Sequence, residues 1–152
     1  MNLKLLKDDN PILRQKSEKV DKVNYPLERL AINLMVLMKS KKAVGLAAPQ
    51  VGRSVQLIVF DCTHITRNVN DQGFMFNPEI VSTEGSAVGP EGCLSLPKRE
   101  CQVRRAFKVT VKYLGLDNQY HTNVYSGLAA RIVQHEVDHL YGTLMTDIEE
   151  KE

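Results

Sequence analysis

A short histidine motif lies in the last amphipathic segment of this 152-residue chain. Residues 127–140 carry apolar and imidazole side chains at the spacing of one helix face, namely Leu128, Ile132, His135 and His139. The two histidines, one helical turn apart, can bind the same metal ion, and Glu136 beside the first has the position of a general base. Apolar neighbours indicate that this helix is buried, and buried histidines and carboxylates need polar partners. The rest of the fold must therefore be built around a charged helix face.

The pattern of apolar residues elsewhere predicts an α+β fold. A first helix is expected from about residue 26 to about residue 39, and a hairpin from the alternating residues 107–113 and their return at 119–125. Further strands are expected at 55–60, at 74–76 and at 79–84, whereas 43–52 and 85–92 are rich in Gly and Pro and predict loops. We predict a mostly antiparallel sheet around a central HExxH-bearing helix, plus an N-terminal helix, in a single domain spanning 1–152.

Composition excludes several classes of protein. A formal net charge of +2, without a basic cluster beyond one helix end, does not favour binding to DNA or RNA. No apolar run approaches the roughly 20 residues of a membrane-spanning helix, and the charged N-terminal segment is unlike a signal peptide. We therefore expect a cytoplasmic protein without membrane contact, and a monomer by default. Three cysteines in such a chain do not predict a disulfide framework.

The histidine motif alone does not complete a catalytic metal site, which needs three protein ligands and one open position. The extended protease pattern would place a third histidine at 145, where this chain has Met145. Glu149 and Glu150 lie too close to the chain end to be good candidates. Upstream, Cys93 follows Gly92 and can supply a thiolate, although a lone cysteine is more often a small buried apolar residue. The residues by themselves leave the third ligand open.

Three segments taken together resemble the motifs of the peptide deformylases, namely 43-AVGLAAPQ-50, 91-EGCLSLP-97 and 134-QHEVDHL-140. The resemblance implies a hydrolase that removes the formyl group from N-formylmethionyl nascent peptides and releases formate. It implies that Cys93, His135 and His139 bind one Fe²⁺ ion, replaceable by Zn²⁺, Ni²⁺ or Co²⁺, with water in the fourth position.

The same resemblance implies roles for three further groups. Glu136 would take a proton from the water on the metal and later pass it to the leaving nitrogen. The side-chain amide of Gln50 and the backbone N–H of Leu94, together with the metal, would stabilise the oxyanion. Without the family, Gln50 is as readily an ordinary loop amide, and Leu94 a core side chain.

The resemblance also implies a peptide-binding groove. The substrate would add as a strand along Val44, Gly45 and Leu46, with Gly92 on its other side. The methionine side chain would enter an apolar slot lined by residues of the last helix and its surroundings, namely Leu128, Ile132, the ring of His135 and Glu91. These are also ordinary packing positions, since any buried helix has Leu and Ile at such spacing.

Two departures from the family pattern affect specificity and partners. Ala43 stands where the first motif usually opens with glycine, so the groove edge differs. The chain is also too short for the C-terminal helix that is linked to ribosome docking in many bacterial relatives, and resembles reduced bacterial or phage forms. Any contact with the ribosome would therefore use a mode other than this helix. Two rival interpretations are an HExxH peptidase and a metal-binding protein without turnover.

Overall fold

The computed structural model describes residues 2–151, and its strands form two antiparallel sheets. In chain order the strands are Gly45–Ala47 (β1), Leu57–Asp61 (β2), Gln72–Glu84 (β3), Ala87–Cys93 (β4), Leu96–Arg105 (β5), Lys108–Leu114 (β6) and Tyr120–Ser126 (β7). The five-stranded sheet has the order β1-β2-β3-β6-β7, and β4 and β5 form a separate two-stranded hairpin. The short strand β1 is therefore an edge of the larger sheet.

Two long helices accompany the sheets, and both lie where the apolar periodicity predicts them. The first, Tyr25–Ser40 (α1), begins where the Asn24 side chain accepts a hydrogen bond from the backbone N–H of Leu27 at 3.0 Å. A single helical turn follows β2 at Thr63–Thr66 (α2), and the last helix is Gly127–Leu140 (α3). Short 3₁₀ turns occupy Pro11–Arg14, Ala48–Val51 and Met145–Asp147. Over residues 2–151, none of the helices has the length and apolar character needed to cross a membrane.

Helix α3 lies between the two sheets. Its apolar side packs against the larger sheet, in a cluster that includes Ala129, Val133, Ile58, Phe60 and Met75. Its other side is bonded to the hairpin, where the Arg131 guanidinium donates to the backbone carbonyls of Ala87 and Val103. This arrangement confirms the predicted fold class, an antiparallel α+β fold around the HExxH helix.

The structure differs from the sequence prediction at the β4–β5 hairpin. Residues 85–92 are predicted as a loop, and most of them instead form β4, which pairs with β5 from Ala87↔Arg105 to Cys93↔Leu96. Gly89 and Pro90 have low intrinsic strand propensity, so the pairing with β5 decides the structure of this segment. The predicted strands at 74–76 and 79–84 are also one strand, β3, with register shifts on either side of Glu79.

Candidate active site

An open cleft of about 480 Å³ lies where β1, the β4–β5 hairpin and α3 meet. Most of the residues predicted from the sequence line it, namely Val44, Gly45, Gln50, Glu91, Gly92, Cys93, Leu94, Leu128, Ile132, His135 and Glu136. They come from segments far apart in sequence, which the fold brings together where β1 and the hairpin meet α3. His139 lies deeper, one turn further along α3.

Cys93, His135 and His139 bring three potential metal ligands together at the bottom of this cleft. One donor atom from each residue lies within 4.8 Å of the other two. Cys93 Sγ and His139 Nε2 are 3.5 Å apart. A tetrahedral ion bonded to a thiolate and an imidazole separates those two atoms by about 3.6 Å, from ordinary bond lengths. The donor spacing therefore fits a single metal ion.

The electrostatics of the site also fit a cation. Burial disfavours a charged His135, but Glu136, Cys93 and Glu91 together raise its pKa to about 10. The surroundings of His135 therefore stabilise positive charge strongly, which is what a metal cation requires. At His139, complete burial and the positive charges of His135 and Arg105 hold the pKa well below its ordinary value. A neutral imidazole is the form that binds metal.

Glu91 orients the first histidine. Its Oε1 is 2.8 Å from His135 Nδ1, which leaves the other ring nitrogen directed to the metal site. Arg105 Nε and Arg131 donate to its Oε2, and a second Arg105 nitrogen donates to Oε1, each at 2.8 Å. Burial on its own would raise the pKa of Glu91, but Arg105 and His135 together lower it to about 2. Glu91 lines the cleft, and both of its oxygens are bonded to protein groups.

Arg105 links this carboxylate to the HExxH helix, and the sequence alone gave no sign of it. Its guanidinium also donates to Asp138 Oδ2, so one buried arginine joins β4, β5 and α3. Asp138 therefore does not simply face solvent but takes part in the network of charges beneath the site. Arg105 reaches Glu91 only across the β4–β5 pairing. Since the sequence predicts a loop at 85–92 and no element at 96–105, no local pattern identifies Arg105.

Glu136 is buried beside the metal ligands, with 5 % of its surface exposed. Burial raises its pKa to about 7, although the charge on His135 opposes the shift. Within residues 2–151, no group hydrogen-bonds its Oε1. A buried carboxylate with a free oxygen and a pKa near neutrality has the properties of a general base.

The Gln50 amide is held in one orientation by hydrogen bonds at both ends. Its Oε1 accepts from the backbone N–H of Ala47 at 3.0 Å, so its Nε2 must point the other way. Nε2 donates to Ser95 Oγ at 3.1 Å and lies 3.6 Å from Cys93 Sγ. The amide donor thus faces the metal site. Its buried partner is Ser95, which lies inside the second family motif and whose role no sequence pattern indicates.

The residues predicted to form the peptide groove are divided between the cleft and the core. Val44 and Gly45 line the cleft, with Ala43 beside them, but the Leu46 side chain is fully buried in the core. Leu46 can therefore meet a peptide only through its main chain. At Gly92 a β-carbon would have no atom within 4 Å, so that glycine faces open space in the cleft.

Comparison with known proteins agrees with the geometry of the site. The family model described as Polypeptide deformylase matches residues 2–152. The peptide deformylase of Dictyoglomus thermophilum is 41% identical over 138 residues, which is 91% of this chain and 86% of that protein. That of Dictyoglomus turgidum is 39% identical over 97% of this chain and 92% of its own length.

Solved structures give the same result for the fold. The peptide deformylase of Thermotoga maritima superposes with a TM-score of 0.91 at 32% identity, and each chain covers 99% of the other. A probable peptide deformylase from Synechococcus phage S-SSM7 superposes with a TM-score of 0.88 at 36% identity, over 97% of this chain and 99% of that one. The chain therefore belongs to the polypeptide deformylase family, and it is a metal-dependent enzyme that removes the N-formyl group from nascent peptides.

Proposed function

We propose that Cys93, His135 and His139 hold the metal ion and that Glu136 is the general base of deformylation. The observation that carries the proposal is the convergence of the three donor atoms within 4.8 Å, with the buried carboxylate of Glu136 beside them. When bound, the ion acidifies a water molecule and polarises the formyl carbonyl group. The remaining steps belong to side chains of this protein.

Glu136 moves the proton in this scheme. With a pKa near 7 it can accept a proton from water and then give it to the amine that leaves. Its position on α3, one residue after the ligand His135, places it next to the ion without making it a ligand. Its free Oε1 is available for this exchange.

Gln50 and Leu94 would stabilise the oxyanion formed on the formyl carbon. The contacts of Gln50 to Ala47 and Ser95 fix its amide before the substrate arrives, so no reorganisation is needed during reaction. Leu94 follows the ligand Cys93 in the cleft wall, and its backbone N–H would supply the second donor. Loss of one such donor typically costs about 2.7–4 kcal/mol of transition-state stabilisation.

The peptide would bind along the free edge of β1, at Val44 and Gly45, with Gly92 opposite. An edge strand offers unpaired main-chain groups for an added strand. Leu128 and Ile132 line the neighbouring part of the cleft and suit a methionine side chain. For Glu91, the occupied oxygens favour a role in positioning His135 over direct contact with the peptide.

We further propose that the ion is Fe²⁺, with Zn²⁺, Ni²⁺ and Co²⁺ as active replacements and one ion per chain. A thiolate and two imidazoles suit all of these ions, so the ligands alone do not choose among them. Iron is distinguished by its sensitivity to oxygen. Protein loaded with Fe²⁺ should lose activity in air while protein loaded with Ni²⁺ keeps it, and equal stability of the two preparations would contradict iron.

Three further expectations concern the oligomeric state, the location in the cell and contact with the ribosome. We expect the protein to act as a monomer, and formylated nascent chains as substrates support a cytoplasmic location. Contact with the ribosome is expected only because the substrate emerges there. Sedimentation of the purified protein alone and with ribosomes would test both the monomer and the contact.

The test of the proposal is formate release from a formylmethionyl tripeptide. Protein loaded with Fe²⁺ without oxygen should release formate, whereas Glu136→Ala should retain the metal and lose activity by at least about 100-fold. Glu28→Ala, which removes an exposed carboxylate on α1, is the matched control and should keep full activity. If Glu136→Ala keeps its turnover, the assignment of the base is wrong. Cleavage inside the peptide, seen by mass spectrometry, would indicate a peptidase instead.

A further inference from the structure

Two lysines lie at the mouth of the cleft. Lys42 lies in the turn between α1 and β1. Lys98 is the third residue of β5. Both side chains are exposed and both residues line the cleft. Over residues 2–151, no carboxylate lies within 4 Å of either ammonium group.

The other charges of the cleft are already paired or buried. Arg99 is bonded to Glu149 at 2.8 Å, and Arg131 to Glu91 at 2.8 Å. Glu91 and Glu136, the two carboxylates of the lining, are buried below the mouth. The charge available to a ligand at the mouth is therefore positive.

The backbone does not account for lysine at these positions. Lys42 has φ of 57° and Lys98 has φ of 65°, both in the left-handed region. Glycine and asparagine adopt that region more readily than lysine does. The backbone conformation alone would thus favour residues other than lysine at both positions.

We propose that Lys42 and Lys98 select formylated peptides that carry an acidic side chain at the second or third residue. The proposal rests on the function proposed above, with the formyl group at Glu136 and the peptide along β1. Lys42 precedes β1 by three residues in sequence, and an extended peptide advances about 3.3 Å per residue. A peptide paired with β1 would therefore bring a residue that follows formylmethionine near Lys42, and Lys98 lines the same cleft.

The test uses three amidated peptides, formyl-Met-Ala-Glu, formyl-Met-Ala-Gln and formyl-Met-Ala-Lys, so that no terminal carboxylate interferes. At low salt, kcat/KM for the Glu peptide should exceed that for the Lys peptide by about fivefold, because exposed ion pairs are weak. In 0.5 M NaCl the ratio should approach one, since salt screens exposed charges. The same set with the acidic residue in second position should give the same order.

A charge reversal provides the decisive comparison. In the double variant Lys42→Glu/Lys98→Glu the preference should invert in favour of the Lys peptide, whereas Lys41→Glu should leave the wild-type ratio unchanged. Lys41 is exposed and adjacent but does not line the cleft. If the wild type hydrolyses all three peptides equally, or the double variant slows all three alike, the charge-selection proposal is overturned. If none of the peptides is hydrolysed, it is the proposed function that fails.

Discussion

Gly45 and Glu136 are packed so closely that a β-carbon on Gly45 would stand 2.6 Å from Glu136 Oε2. In the proposed groove, the lack of a side chain at Gly45 leaves room for the peptide main chain. The structure adds a second reason, because the glycine leaves room for the carboxylate that we propose as the general base. One residue of the edge strand thus positions a group on the helix that it faces.

Gly45→Ala should therefore damage catalysis more than stability. The new methyl group must displace the Glu136 carboxylate or the Ile132 side chain, whose Cγ2 would be 2.9 Å away. We expect kcat to fall by about 100-fold, the scale of general-base catalysis, with the metal content unchanged. Steady-state kinetics and metal analysis would measure both.

Gly92→Ala is the matched control across the cleft, since its β-carbon would meet no atom within 4 Å. It should raise KM, because the peptide passes there, and leave kcat near the wild-type value. A similar loss of kcat in both variants would contradict the specific role of Gly45 beside Glu136.

Arg105 is expected to be the main stabilising charge beneath the site. Arg105→Met removes the partner of two buried or half-buried carboxylates, Glu91 and Asp138. Removal of one member of a buried ion pair typically costs about 3–5 kcal/mol of the free energy of unfolding. Urea unfolding of the metal-free protein at pH 7 would measure the loss.

Arg104→Met controls for this prediction, because the neighbouring arginine pairs with Glu150 at the surface. Exposed pairs contribute about 0–1 kcal/mol, so the free energy of unfolding should change little. Equal losses in the two variants would show that the buried network does not carry the stability assigned to it.

Glu91→Gln should weaken metal binding. The variant keeps the shape of the side chain but loses the charge that holds His135 Nδ1 at 2.8 Å. Loss of a partner that orients a metal ligand typically reduces affinity by 10–100-fold. Competition with a chelator for Zn²⁺ would measure it.

Asp138→Asn separates ligand orientation from the rest of the network. Asp138 shares Arg105 with Glu91, but His135 is not among its hydrogen-bond partners. The affinity of the Asp138→Asn variant for Zn²⁺ should stay close to that of the wild type. If Asp138→Asn weakens binding as much as Glu91→Gln does, the effect comes from Arg105 and not from the contact to His135.

Ionised Asp61 should contribute to the free energy of unfolding, and protonation at low pH should remove that contribution. Burial tends to raise the pKa of its carboxyl group, but hydrogen bonds from Thr63 and the contact with Lys39 lower it overall. A pKa below the unfolded value of about 3.9 means that the contribution is present above about pH 4. It is lost as the pH falls through the lower pKa of the folded state.

Asp61→Asn should therefore flatten the dependence of unfolding free energy on pH below about pH 4. Urea unfolding between pH 2 and pH 7 would follow the change. Asp21→Asn removes an exposed carboxylate and so corrects for the change in net charge. An unaltered acid slope in Asp61→Asn would contradict the prediction.

Local sequence determined the elements that have strong periodicity and the residues that stand in motifs. The bounds predicted for α1 and α3 agree with the structure, because apolar spacing and capping act within a few residues. His135 and His139 could be paired in advance, since one helical turn fixes their separation. The family motifs supplied Cys93 and Gln50, which no local rule would have selected.

Only the tertiary structure decided which distant groups support the site. The β4–β5 hairpin forms because its strands pair with each other, whereas the local propensities of 85–92 alone predict a loop. That pairing carries Arg105 to Glu91 and so to His135, and the edge strand β1 brings Gly45 against Glu136. Contacts between residues far apart in sequence depend on the packing of whole elements, and no pattern along the chain records them.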